Sequence, residues 1–250
     1  MEFFSKLQLR FLGAVQFLTV IPVSRSTVPV HESAPFFPFV GAIAGLLSSL
    51  PMAWLPLPSG IEAAITLSIQ LLLTGMLHED GLADIADGVR AGRTREKMFE
   101  IIKDSRVGSY GVSALCVALI LRWQGLAFVA DHTRSPWMIM TLVAASEGLS
   151  RCAILWLGLV TPAARQGMGA YLSEHCGKLT TVASLLQATL FVSFLDLSSA
   201  LWLLGGLMAM VALARHYFML RLGGVVGDCF GALQQACVIY CLVVYAWPNS

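Results

Sequence analysis

Residues 74 to 88 read TGMLHEDGLADIADG, and four carboxylates, Glu79, Asp80, Asp84 and Asp87, fall within nine positions of that stretch. On a helix, Asp80, Asp84 and Asp87 stand at i, i+4 and i+7, which at about 100° per residue places them within an arc of about 60°. Three carboxylates so placed repel one another unless a cation sits among them, and ligation by oxygen alone selects a hard ion such as Mg²⁺ or Mn²⁺. Glu79 points to a neighbouring face, from which it could bind directly or through water. Gly81 lets another backbone or a ligand come close. His78, opposite Asp80 on the wheel, is a candidate general base or ligand, the alternative being an interfacial histidine that only hydrogen-bonds. For the cluster as a whole the alternative is a solvated acidic helix end. That does not account for acids alone at 79 to 87 when six bases follow at once.

The following motif, IIKDSRVGSYG at 101 to 111, gathers Lys103, Asp104, Ser105 and Arg106 just before Gly108, where an apolar span opens. Two cations, a hydroxyl and the N-terminal amides of the next helix make a cradle for phosphate or diphosphate. Arg165, in AARQGMGAY, is a further cation for an anionic ligand. RLGGVVGDCFGAL at 221 to 233 brings Gly224, Gly227 and Asp228 to the mouth of the last span, where an acid more often lines a polar cavity than faces lipid. Glu147 and Arg151, at i and i+4 inside an apolar span, form an ion pair directed into the bundle. Arg122 has no evident partner in the sequence and is expected to snorkel. Acids suited to Mg²⁺ and bases suited to phosphate, in one membrane-embedded chain, point to transfer of a phosphoryl or prenyl group from a diphosphate substrate.

These residues need elements to position them, and composition says which kind. Of the 250 residues 57% are hydrophobic and 12% charged, mean hydropathy is +0.75, and apolar stretches of about twenty residues recur along the chain. The expectation is an all-α, polytopic helical bundle forming a single domain over 1–250, with seven spans: roughly 35–57, 60–78, 108–130, 136–160, 180–195, 197–214 and 230–247. The second span is taken to continue as one helix through the acidic cluster. MEFFSKLQLRFLGAVQFLTVIPV lacks a signal-peptide cleavage site and reads as an uncleaved amphipathic segment at the membrane interface.

A net charge of +1 supplies no basic field for nucleic acid. With the N-terminus in the cytoplasm, 13 of the 16 Lys and Arg fall on the inner side: Lys6, Arg10, Arg25, the six from Arg90 to Arg106, Arg165, Lys178, Arg215 and Arg221. Arg134 alone falls outside, and Arg122 and Arg151 lie within spans. This positive-inside bias places the acidic cluster at the cytoplasmic end of the second span. The six cysteines include no CxxC pair and read as small buried hydrophobes. The sequence leaves open an association with a second copy of the chain.

Taken in order, FLTVIPV, LTGMLHEDGLADIADG, IIKDSRVGSYG, AARQGMGA and LGGVVGDCFGA resemble the adenosylcobinamide-GDP ribazoletransferase family, also called cobalamin 5'-phosphate synthases, over nearly the whole chain. The resemblance implies a multi-pass enzyme of the bacterial cytoplasmic (inner) membrane with its active site facing the cytoplasm. It implies attack by the ribose 3'-hydroxyl of alpha-ribazole, or of its 5'-phosphate, on the cobinamide-linked phosphorus of adenosylcobinamide-GDP, with release of GMP and a requirement for Mg²⁺. It carries the acidic motif onto Glu79, Asp80, Asp84 and Asp87, the basic one onto Lys103, Asp104, Ser105 and Arg106, and the glycine-rich one onto Gly224, Gly227 and Asp228. Two positions depart from it: Val20 stands where the family commonly has Arg, and Val226 where it commonly has Thr.

Two other classes compete. A CDP-alcohol phosphotransferase also clusters aspartates on membrane helices, but its D-G-x-x-A-R pattern is absent after Asp80 and Gly81. An ion-coupled transporter holds its ion at a broken helix near the bilayer midplane, whereas these carboxylates crowd one edge.

Overall fold

The computed structural model describes residues 2–23, 28–175 and 177–247, with the side chains of 2–4, 168 and 171 left aside, so that Arg25 and Cys176 lie outside the described residues. It is all-α among those residues. An amphipathic helix α1 (Glu2–Leu18) leads into the short α2 (Val30–Ser33), a 3₁₀ turn and α3 (Phe37–Ser48). The short α4 (Leu50–Trp54) and α5 (Ser59–Thr74) follow, then α6 (Leu77–Ala91), which carries the acidic motif, and α7 (Arg95–Ile102). The second half comprises α8 (Ser109–His132), α9 (Pro136–Val160), α10 (Met168–His175), α11 (Lys178–Val192), α12 (Leu197–Leu222) and α13 (Gly227–Ala246).

Among the described residues five helical segments are long and apolar enough to cross a membrane: Val30–Ser48, α8, α9, α12 and α13. The bent pair α5 and α6 makes a sixth if it counts as one span, and α11 is a seventh apolar helix of only 15 residues. α9 is the hub, packed against α3, α11, α12 and α13. Side chains of α12 such as Leu201, Trp202, Leu213 and Leu220 stay exposed, as a helix facing lipid requires. α12 continues to Leu222, past the end expected for that span at 214, so Arg215 and Arg221 stand on a helix.

The second span does not run on into the acidic cluster as the sequence suggested. Gly75 (φ 60°) and Met76 (φ 59°) are both left-handed, and α6 leaves α5 at 87°. Gly75 ends α5 at no steric cost, its N–H turned back to the carbonyls of Leu71 and Leu72. Met76 has a Cβ, for which this conformation costs about 1–2 kcal/mol; it is the one non-glycine residue with positive φ among those described. The acids keep their helical spacing on α6, but the axis that carries them points in a new direction. The segment just after α1 helps hold the corner: the Val20 N–H donates to the Leu73 carbonyl at 2.9 Å, and Val20 Cγ1 lies beside Gly75.

Candidate active site

α6 meets α13 at two glycines. A Cβ added to Gly81 would lie 2.9 Å from the Asp228 carbonyl oxygen, and one added to Gly231 would lie 2.9 Å from the His78 carbonyl oxygen. This contact, anticipated for Gly81, brings the start of α13 against the acidic helix. Asp84 comes within electrostatic reach of Asp80, Asp228 and Asp87, and Asp228 within reach of Asp80. Asp80 is exposed, and Asp84 and Asp228 are half-buried. The open acidic face is therefore Asp80, Asp84 and Asp228, drawn from two helices.

The other two acids of the motif are held elsewhere. Asp87 is buried, and its two carboxylate oxygens accept from the Gly108 N–H at 2.7 Å and the Gly111 N–H at 2.9 Å. It satisfies two of the free amides that open α8. Glu79 turns into the bundle, where Arg122 Nη1 donates to its Oε1 at 2.6 Å and Gln235 Nε2 at 2.9 Å. Among the described residues no three His, Cys, Asp or Glu side chains stand together closely enough to hold a metal ion by themselves.

Arg122 is not a snorkelling residue. Its side chain is 2% exposed, and Nη2 bonds Gln70 at 2.8 Å and Glu147 at 3.3 Å. Glu147 also accepts from Arg151 at 2.6 Å, the i, i+4 pair expected from the sequence, and from Gln234 at 3.3 Å. Two arginines, two glutamates and three glutamines from α5, α6, α8, α9 and α13 thus form one neutral cluster inside the bundle. Satisfying each charge this way is what makes its burial tolerable. Glu79 Oε2, Arg122 Nε and Arg151 Nε remain without a partner there.

The basic motif lies on an exposed loop at the same end as Asp84. Asp104 accepts from the Arg106 side chain at 2.6 Å and from its backbone N–H at 3.1 Å. The guanidinium holds the Asp104 carboxyl down at about 2. Lys103 and Ser105 are exposed beside this pair. Arg165 stacks its guanidinium on the Phe99 ring at 4.1 Å from the centroid, which leaves the edge of the fork open to a ligand.

The AARQGMGA and GGVVGD loops are stitched to each other. The Ala164 N–H donates to Val225 O and the Val225 N–H to Pro162 O, each at 2.9 Å, and Gly224 sits so close that a Cβ would lie 2.7 Å from Ala164 N. Arg221 then donates to the Val89 carbonyl at 2.7 Å, joining this pair of loops to the end of α6. All four motifs are collected at one end of the bundle. Gly227, exposed, opens α13 there.

Below the acidic face a cavity of about 290 Å³ runs between α1, α3, α6, α9, α10 and α13. Its walls include Phe17, Phe37, Ile154, Leu172 and Phe230, and its polar groups are His78 and Asp228. His78, 4% exposed, also borders the ionic cluster, so it forms the inner wall. Phe17 and Phe37 come from the N-terminal segment, whose part in the site the sequence did not reveal. A signal existed for the cluster, since Gln234 and Gln235 are adjacent amides inside an apolar span.

A polytopic helical bundle with carboxylates and cations gathered at one mouth has the architecture of a membrane-embedded transferase. The chain belongs to the cobalamin-5-phosphate synthase family, whose model matches residues 10–246. It is similar to proteins named adenosylcobinamide-GDP ribazoletransferase: from Ralstonia nicotianae at 36% identity, covering 95% of each chain, and from Bradyrhizobium diazoefficiens at 35%, covering 93% of this chain and 91% of the relative. A third, from Rhizobium johnstonii, is 36% identical over 93% of this chain and 94% of its own length. No solved structure matches the chain.

Proposed function

We propose that the protein is an adenosylcobinamide-GDP ribazoletransferase working at the cytoplasmic face of a bacterial inner membrane. The ribose 3'-hydroxyl of alpha-ribazole, or of its 5'-phosphate, attacks the cobinamide-linked phosphorus of adenosylcobinamide-GDP. The bond from that phosphorus to the bridging oxygen breaks and GMP leaves with that oxygen. The observation that carries this reading is the full-length similarity to relatives of that name, with the motifs of the family drawn to one mouth. The lysine and arginine bias of the loops supports a cytoplasmic mouth.

Mg²⁺ fits the open acidic face. The donors are oxygens only, and Mg²⁺ is commonly held by one or two carboxylates together with substrate phosphates rather than by a complete protein cage. Asp80, Asp84 and Asp228 would hold it; Glu79 and Asp87, included in the set expected from the sequence, are engaged by Arg122 and by the α8 amides. When bound, the ion would neutralise charge developing on the leaving GMP. Lys103, Ser105, Arg106 and Arg165 bind the diphosphate oxygens of the donor, Gly224 lets the two loops at the mouth pack closely, and Gly227, exposed and with nothing within 4 Å of where a Cβ would stand, leaves the donor's path along the α13 entrance unobstructed. Asp104 orients Arg106. His78 and Asp228 are the groups placed to hydrogen-bond the acceptor.

The experiment is a membrane-fraction assay with adenosylcobinamide-GDP and alpha-ribazole, with and without Mg²⁺, following GMP and corrinoid product. Metal-dependent GMP release coupled to product is expected. Folded, inserted protein that gives none, with the 5'-phosphate acceptor tried as well, would overturn the proposal.

A further inference from the structure

The cavity beneath the acidic face is too small for a corrin macrocycle and its side chains, yet it sits beside the residues proposed to transfer the phosphoryl group. At about 290 Å³ it lies at the low end of small-ligand pockets, which span roughly 300–1,000 Å³. Phe17 and Phe37 stack on each other nearly parallel, 5.3 Å between centroids at 14°, and with Phe230 they give the cavity an aromatic lining against which a further flat ring can pack. Asp228 stands on the lining of this cavity and also within reach of Asp80. A molecule seated in the cavity therefore presents its outer end to the acidic face.

We infer that this cavity seats the base of the acceptor nucleoside and selects an apolar two-ring aromatic base over a purine. The inference rests on the transferase reading above. The ring lies among Phe17, Phe37, Ile154, Leu172 and Phe230, His78 hydrogen-bonds a ring nitrogen at the inner wall, and the ribose reaches Asp228 at the mouth. A methylated benzimidazole has apolar edges everywhere except that nitrogen. A purine brings an exocyclic group and further ring nitrogens against phenyl, isobutyl and sec-butyl walls, where they lose hydrogen bonds to water and gain none. Discrimination by apolar walls of this kind is about ten- to a hundredfold. The corrinoid donor, excluded by size, approaches from the exposed side.

The test is equilibrium binding to the full chain in nanodiscs, by calorimetry, with alpha-ribazole, its adenine counterpart alpha-adenosine and adenosylcobinamide-GDP as separate probes. Wild type is expected to bind alpha-ribazole at least tenfold more tightly than alpha-adenosine. Ile154→Trp, which fills the cavity, is expected to weaken alpha-ribazole at least tenfold while the donor binds as before; Ile154→Ala, which enlarges it, narrows the gap between the two nucleosides. Equal binding of both nucleosides to wild type, or two variants that match wild type, would overturn the base site even if GMP release proceeds normally. Absence of GMP release with no binding of either nucleoside would overturn the transferase reading, and the base site with it.

Discussion

The carboxylate of Asp87 bonds the amides of Gly108 and Gly111, so the last acid of one motif fixes the glycines of the next. The acidic helix and the basic loop are set by this single side chain. Asp87→Asn keeps one acceptor and turns an amide donor toward the other N–H. It is expected to destabilise the chain by about 1–3 kcal/mol and to speed tryptic cleavage at Lys103 and Arg106. Unchanged thermal stability and unchanged cleavage would refute this role.

Asp80→Asn and Asp84→Asn remove charge from the open acidic face without touching the Asp87 amide bonds. Each is expected to lower Mg²⁺-dependent turnover by at least a hundredfold with membrane insertion intact. Near-normal rates in both would remove the metal site from α6.

Glu79→Gln separates the two uses of the motif. It leaves Arg122 buried without its closest anion, a loss of about 3–5 kcal/mol, and is expected to lower the melting temperature in detergent. The Mg²⁺ concentration for half-maximal rate in the surviving folded protein should not move. A large increase in that concentration would put Glu79 back among the ligands.

Arg106→Ala is expected to raise the apparent KM for adenosylcobinamide-GDP several-fold with little change for alpha-ribazole. Because Arg106 holds the Asp104 carboxyl at about 2, the pair in the wild type stays charged through the ordinary carboxylate range and below it. Its depressed titration makes the loop contact persist as pH falls through the unfolded carboxylate value and disappear only near pH 2. An unchanged donor KM would take Arg106 out of the diphosphate site.

Val226 is the N-cap of α13, extended at φ −119°, ψ 174°, and gives that helix no side-chain oxygen. Threonine at this position would accept an amide of the first turn. Val226→Thr is expected to raise stability by about 1 kcal/mol, read as a higher melting temperature. A drop would show that the methyl lost from Val226 matters more than the cap.

The polytopic fold and the four motifs were legible because each is written locally: apolar runs set the spans, and Glu147 and Arg151 meet because they are four apart. The kink was not. Met76 is an ordinary helix former, and its left-handed conformation belongs to a corner held by Val20, a residue far away in the sequence. Arg122 was misread because its partners lie 25, 43, 52 and 113 positions away. The contact of Glu79 with Arg122 was hidden with it, since the cation that Glu79 Oε1 accepts from lies 43 positions away. The spacing of Asp80, Asp84 and Asp87 survived on α6, but the α8 amides that claim Asp87 come from beyond the motif.

The charges of the buried cluster occur along the chain as Glu79, Arg122, Glu147 and Arg151, alternating in sign. A chain threaded into the bilayer from its N-terminus thus never accumulates more than one uncompensated intramembrane charge from this set. Each cation follows an anion that receives it, so the order of residues keeps the running sum of these four charges between minus one and zero along the chain.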